Sequence, residues 1–108
     1  MPHYLIQVGY NSDGVAALVR EPQDRIEKVR PAVEALGGSI ETAYYAFGKY
    51  DIMLIVEMPD NVQAAAMALA VGAGGACSSY RTTVLLTADE ATKAMSAAGS
   101  SVYKPATT

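Results

Sequence analysis

The segment Gly48-Lys49-Tyr50-Asp51 brings a phenol and a carboxylate together directly before an apolar run, residues 52–56. A carboxylate that is partly desolvated at the mouth of a pocket can serve as a general base. Tyr50 and Asp51 are therefore candidate catalytic residues. In the structural alternative, Asp51 accepts hydrogen bonds from the hairpin backbone and Tyr50 closes one end of the fold. Both interpretations stay open at this point.

His3 is the only histidine and is the third catalytic candidate. It can equally be an exposed strand residue near the start of the chain. Arg81 lies within a predicted strand, where a guanidinium needs an anion or a carboxylate partner. It therefore binds either an anionic ligand or one of three carboxylates, Asp51, Glu57 or Glu41.

Tyrosine supplies almost all the aromatic residues: seven Tyr accompany one Phe and no Trp. A buried tyrosine needs a partner for its hydroxyl, so this bias predicts a surface or cavity that is partly apolar and partly wet. Tyr44 and Tyr45 are consecutive and must face opposite sides of a strand. The predicted ligand-binding residues are Tyr45, Tyr50, Asp51 and Arg81.

One histidine and one cysteine do not form a recognisable metal-binding motif, so we expect no metal and no cofactor. The alternative is a metal held by His3 with Asp51 or a glutamate. Cys77 has no nearby basic residue in the sequence and is interpreted as a small buried hydrophobic residue.

The chain has 108 residues, which is one domain, and a net charge of −3. Its lysines and arginines are scattered, so we expect no nucleic-acid partner. No apolar run approaches the length of a membrane span, and the first residues lack the charged and apolar parts of a signal peptide. The expected location is the cytoplasm.

The pattern of apolar residues and turn formers predicts four strands and two long helices. The strands are predicted at residues 3–10, 39–47, 50–58 and 77–86, and the helices at 23–36 and 61–71. A short helical turn is predicted after residue 12, and a capping box at Thr87 predicts a terminal helix that ends near Gly99. Pro31 predicts a kink or break near Arg30, and Gly48-Lys49 predicts a two-residue hairpin.

This order predicts an α+β, ferredoxin-like βαββαβ fold with a C-terminal helix. Its four-stranded antiparallel sheet has helices on one face and leaves the other face open. The predicted domain covers residues 1–98, and residues 99–108 form a flexible or partner-wrapping tail.

The third strand is apolar on both faces, because Met53 and Ile55 alternate with Ile52, Leu54 and Val56. An antiparallel sheet with one face in water should alternate apolar with polar residues. We therefore expect a homodimer, or a higher homo-oligomer, with sheets packed face to face. In this arrangement, His3, Gln7, Asp51 and Arg81 can share the face of the sheet that lies away from the helices and towards the second subunit.

The glycine-x-tyrosine-aspartate motif at residues 48–51 resembles the GYD-domain family. The match includes the exit Glu57-Met58-Pro59-Asp60 into an alanine-rich helix and the strand around Arg81-Thr82-Thr83, and it covers roughly residues 3–96. The resemblance implies a dimeric α+β barrel. Relatives in that group include small monooxygenases and isomerases that often need no metal. It implies no particular reaction.

The sequence thus favours a protein that binds, and can convert without a cofactor, a small organic molecule. The alternative is a non-catalytic interaction or assembly module, which would leave an exposed apolar patch.

Overall fold

The structure is a computed structural model that describes residues 1–106. In chain order the elements are β1 (His3–Tyr10), α1 (Ser12–Arg20), α2 (Arg25–Ala35), β2 (Ser39–Tyr45), β3 (Ile52–Glu57), α3 (Asn61–Ala73), β4 (Cys77–Leu85) and α4 (Ala88–Gly99).

The four strands form one antiparallel sheet in the order β2-β3-β1-β4. The pairing places Ile6 opposite Leu54 on β3 and opposite Thr82 on β4. The α+β class and the ferredoxin-like order are therefore as predicted. The strand between β3 and β4 is β1, so its residues have neighbours on both sides.

The core lies between one face of this sheet and the helices α2 and α3. Tyr4, Ile6 and Val8 of β1 are buried there, and alternate residues of β3 join them. The helices add Val33 and Met67, which are also buried. The Tyr4 hydroxyl reaches the helix side and donates to Asn61 Oδ1 at 2.6 Å. We refer to this side as the covered face.

The helix starts follow from their capping residues. Asn11, Asp24 and Asp60 each accept a hydrogen bond from a backbone N–H in the first turn of α1, α2 and α3. At α4, Thr87 and Glu90 form the predicted reciprocal capping box. The first helix is longer than the short turn predicted, because Asn11 also anchors it by donating to Gly75 O at 2.7 Å.

The prediction of a two-residue hairpin was wrong. Residues 46–51 connect β2 to β3, so the hairpin loop is longer than Gly48-Lys49 alone. It is closed by the bond from Ala46 N to Asp51 O at 2.7 Å, and Gly48 does not adopt a positive φ. Of the kink or break predicted near Arg30, the break does not occur, because α2 runs through Pro31 without interruption.

The opposite side of the sheet, which we call the open face, carries no helix that buries it. Its residues on β1 and β3 are half-buried, among them Leu5, Met53 and Ile55. Helix α4 has no buried residue, and Met95 on it is 70% exposed. Within residues 1–106, no helix is both long enough and apolar enough to cross a membrane. The end of the predicted tail, residues 107 and 108, lies outside the described residues.

Candidate functional site

A cavity of about 330 Å³ lies on the covered face, between the sheet and helices α2 and α3. Its size falls in the range of small-molecule sites. The apolar part of its wall comes from both layers: Val8, Val29, Leu54, Met67, Ala70 and Val71. The cavity is therefore walled mainly by apolar side chains.

Two tyrosines and the cysteine add polar groups to the same wall. The Tyr80 hydroxyl is buried without a hydrogen-bond partner. Burial raises the pKa of Tyr80 to about 12, although the nearby Thr82 side chain has a weaker lowering effect. Thr82 lies close to this hydroxyl but does not form a bond of acceptable geometry with it. A buried hydroxyl without a partner costs free energy, so a hydrogen bond between Tyr80 and a ligand that reaches its hydroxyl would be favourable.

Burial also raises the pKa of Tyr10 and of the Cys77 thiol. In both cases the Arg25 guanidinium opposes the increase, because a positive charge favours the ionised form. At neutral pH the cavity therefore holds neutral hydroxyls and a neutral thiol, all able to donate hydrogen bonds. Cys77 is a partly buried hydrophobic neighbour of the core, as the sequence predicted.

Arg25 and Lys28 bring positive charge to the edge of the cavity. Both are exposed residues near the start of α2, whose first residue is Arg25. The Arg25 backbone N–H donates to the Tyr45 hydroxyl at 2.7 Å, so the end of β2 fixes the start of this helix. Among the described residues, neither Arg25 nor Lys28 forms an ion pair with a carboxylate.

The predicted residues Asp51 and Tyr50 lie away from this cavity. The Asp51 carboxylate accepts a hydrogen bond from Tyr10 N at 2.8 Å, and Asp51 N donates to Val8 O. The carboxylate thus continues the pairing of β1 and β3 beyond the last ladder residue. Tyr50 is half-buried, and Lys49 Nζ lies 5.8 Å from the centre of its ring.

Asp51 and Tyr45 instead line a second cavity, of about 280 Å³, beside α1. Its other walls are largely apolar, and Val19 at its edge is 74% exposed. Phe47, at the tip of the neighbouring hairpin, is fully exposed. This end of the molecule therefore presents an apolar surface.

His3 and Arg81 lie on the open face, as predicted, but they are not together. His3 Nδ1 is 2.6 Å from Glu41 Oε1, and Nε2 is 3.5 Å from Glu57 Oε1. Arg81 pairs with Gln7, four residues along β1 from His3. Within residues 1–106, Arg81 forms none of the ion pairs considered from the sequence.

The structure thus distributes the predicted site residues over three places. His3 and Arg81 occupy the open face, Asp51 and Tyr45 line the cavity near α1, and Tyr50 lies in the loop between β2 and β3. Sequence reasoning did not select Tyr10, Tyr80 or Lys28 for the main cavity. The alternation of side chains along β4 put Tyr80 and Arg81 on opposite faces of the sheet. Only the packing of α2 and α3 shows that Tyr80 lines a cavity on its face.

The family comparison agrees with this fold. The family model described as the GYD domain matches residues 4–95, which span β1 to α4. No curated protein matches the chain. Since the matched segment covers most of the sequence, the chain belongs to the GYD-domain family.

Proposed function

We propose that this protein binds a small organic anion that has an apolar body, in the cavity between the sheet and helices α2 and α3. The observation that carries this proposal is a largely apolar cavity with two cations at its edge and, in its wall, Tyr80, whose buried hydroxyl has no hydrogen-bond partner. The apolar walls accommodate the body of the ligand, while Arg25 and Lys28 attract its carboxylate. A small aromatic acid has this combination of properties.

Hydrogen bonds from the tyrosine hydroxyls can contribute to recognition of the ligand. Tyrosine is protonated at neutral pH, and burial raises the pKa of Tyr80 and Tyr10 further, so both act as neutral donors towards an oxygen of the ligand. Conversion of the ligand without a cofactor is the further step of this proposal. Its acid–base groups would be these neutral donors, because Asp51 is bound to the Tyr10 backbone and lines a different cavity.

A panel of aromatic carboxylates and their neutral amides tests the proposal. Benzoate, 4-hydroxybenzoate and 1-naphthoate are added to the protein, and the Tm is measured with and without each compound. A ligand at 100 times its Kd stabilises the folded state by about 2.7 kcal/mol. For a domain of this size, we therefore expect an increase in Tm of roughly ten degrees or more at saturation.

Arg25→Gln should reduce this increase for the acids, and Arg81→Gln is the matched control because Arg81 lies on the open face. Equal stabilisation by acids and amides, or equal effects of the two variants, would contradict the proposal. A panel without any active compound would favour the alternative below.

The open face supports the second part of the proposal, a cytoplasmic homodimer with sheets packed against each other. Leu5, Met53 and Ile55 are apolar and no helix buries them. A specific interface covers about 800 Å² per partner, which is the scale of one sheet face. The single free thiol, Cys77, is compatible with a reducing compartment. Light scattering at micromolar concentration should give twice the monomer mass, and a monomer would refute the dimer.

The apolar end near α1 favours a second candidate function, a non-catalytic assembly module. Val19, Tyr45 and Phe47 are at least half exposed there, and the Asp51 carboxylate already has a structural partner. An exposed apolar surface of this kind is typical of a protein-interaction site. Phe47→Ser would abolish the assembly without changing the response to aromatic acids.

A further inference from the structure

The sheet brings His3, Glu41 and Glu57 together on the open face, away from the cavity on the covered face. His3 and Glu57 are direct neighbours across β1 and β3. Glu41 joins them because the pairing of β2 with β3 shifts between Ile40 and Thr42, so that Glu41 is the extra residue of a β-bulge. Bulges commonly redirect a side chain near functional sites.

One side-chain donor atom from each of these three residues lies within 4.8 Å of the other two. All three side chains remain accessible, at 27% exposure for His3, 38% for Glu41 and 34% for Glu57. In a single chain, a solvated ion can therefore reach them without any rearrangement of the backbone.

The charges of this cluster do not balance when the imidazole is neutral. Among residues 1–106, neither Glu41 nor Glu57 pairs with a lysine or an arginine; each has only His3. Two carboxylates this close repel each other, and a divalent cation between them would remove the repulsion. The Glu90 carboxylate does not belong to this cluster, because it accepts a hydrogen bond from Thr87 N at 2.9 Å in the capping box of α4.

The geometry points to a binding site for a divalent transition-metal ion, with Zn²⁺ as the best fit, formed by His3, Glu41 and Glu57. Imidazole favours Zn²⁺ and its neighbours in the first transition row over Mg²⁺ and Ca²⁺, which prefer oxygen ligands alone. Three protein ligands would leave one position of a tetrahedral site open. The adjacent cavity of about 220 Å³, lined by the same His3 and Glu41 with Ile55 and Leu85, has room for a water or a small oxygen ligand there.

Only small movements separate the present arrangement from a coordinated one. Zinc bonds of about 2.0–2.2 Å place two ligand atoms about 3.4 Å apart in a tetrahedral site. The 3.5 Å separation of His3 Nε2 from Glu57 Oε1 already matches this value, whereas the 2.6 Å contact between His3 Nδ1 and Glu41 Oε1 must lengthen. A rotation of the imidazole would present one of its nitrogens to both carboxylates.

Titration calorimetry with ZnCl₂ tests this site on the full-length protein, prepared without a histidine tag and stripped with EDTA. We expect one ion per chain, and binding weakened at least tenfold in each of three variants, His3→Gln, Glu41→Gln and Glu57→Gln. Co²⁺ should give the absorption bands of a tetrahedral site, and Mg²⁺ should not compete. Circular dichroism and light scattering establish that each variant keeps its fold and its oligomeric state.

Glu27→Gln is the matched control, because Glu27 is an exposed carboxylate whose only ion pair within residues 1–106 is with Arg30 on α2. It should bind Zn²⁺ like the unmodified protein. Three results would overturn the site: no binding, an equal loss in the Glu27 variant, or a loss confined to the His3 variant. In the last case the histidine binds Zn²⁺ without the two carboxylates. The outcome is independent of the aromatic-acid panel, which addresses the opposite face.

Discussion

The two faces of the sheet are built from the same strands but carry different chemistry. On the covered face, apolar side chains surround a cavity that contains neutral hydroxyls and has two cations at its edge. On the open face, half-buried apolar residues are flanked by His3, Glu41 and Glu57, a cluster rich in carboxylates. Because successive residues of a strand point to opposite sides, one strand can supply both environments.

This difference shows how a small domain can separate two kinds of binding. Burial between layers favours neutral donors and the apolar body of a ligand, since an ion would lose its hydration there, while the cations at the cavity edge suit a carboxylate. A solvent-exposed face tolerates adjacent carboxylates, which suit a hydrated cation. The following predictions test whether the two faces behave as differently as their chemistry indicates.

The largest expected effect comes from the covered face. Ile6 is 1% exposed, and Ile6→Ala should lower the free energy of unfolding by about 2–5 kcal/mol because it leaves a cavity in the core. Leu5→Ala, one residue away on the open face, should lower the free energy of unfolding by less than half as much when the protein is dilute. Urea denaturation at two protein concentrations measures both. If both substitutions lowered the free energy of unfolding of the monomeric protein equally, the two faces would not differ in their contribution to stability.

An intermediate effect is expected at Asp51, between the two faces. Asp51→Ala leaves the Tyr10 N–H without its acceptor, and an unsatisfied buried donor costs about 1–3 kcal/mol. Asp51→Asn keeps an oxygen acceptor and should retain most of the stability. Thermal unfolding of the two variants measures this difference. If both variants were fully stable and only a catalytic activity were lost, Asp51 would be a catalytic residue and not a structural one.

The smallest effect at neutral pH is expected for Tyr80→Phe. Its hydroxyl has no partner, so removing it should leave the stability unchanged or slightly higher. At alkaline pH the variant should differ more. The folded protein retains the Tyr80 proton up to about pH 12, whereas the unfolded chain loses it near pH 10. The unmodified protein therefore loses stability as the pH rises between these values, and the variant lacks this contribution.

Tyr44→Phe serves as the control for that experiment, since Tyr44 is 66% exposed and lies on β2. Its stability should fall with pH like that of the unmodified protein. An identical alkaline profile for the Tyr80 variant would mean that the folded protein does not protect this hydroxyl.

Much of the fold was predictable because local signals agreed with one another. The apolar run at residues 52–56 indicated the strand β3, and Asp60 and Thr87 marked the starts of α3 and α4. The hairpin at Gly48 was less predictable. Glycine permits a positive φ but does not require one, and the loop closes through the bond between Ala46 and Asp51 instead.

The candidate sites were harder to predict from the sequence than the fold was. Asp51 was selected for its chemistry, but the hydrogen bond that occupies it comes from Tyr10, 41 positions away in the chain. Glu41 was considered as a partner for Arg81, and the bulge in β2 brings it to His3 instead. Such contacts depend on strand register, which local sequence patterns specify only in part.

The sequence by itself determined the GYD family, the order of strands and helices, and the two-sided apolar character of β3, because these depend on local periodicity and turn chemistry. Only the tertiary structure decided which polar groups meet. The packing of α2 and α3 leaves the Tyr80 hydroxyl unpartnered in a cavity, and the register of β1, β2 and β3 joins His3 to Glu41 and Glu57. Those contacts connect residues that are distant in the chain, so their distances are set by the assembled sheet and its helices.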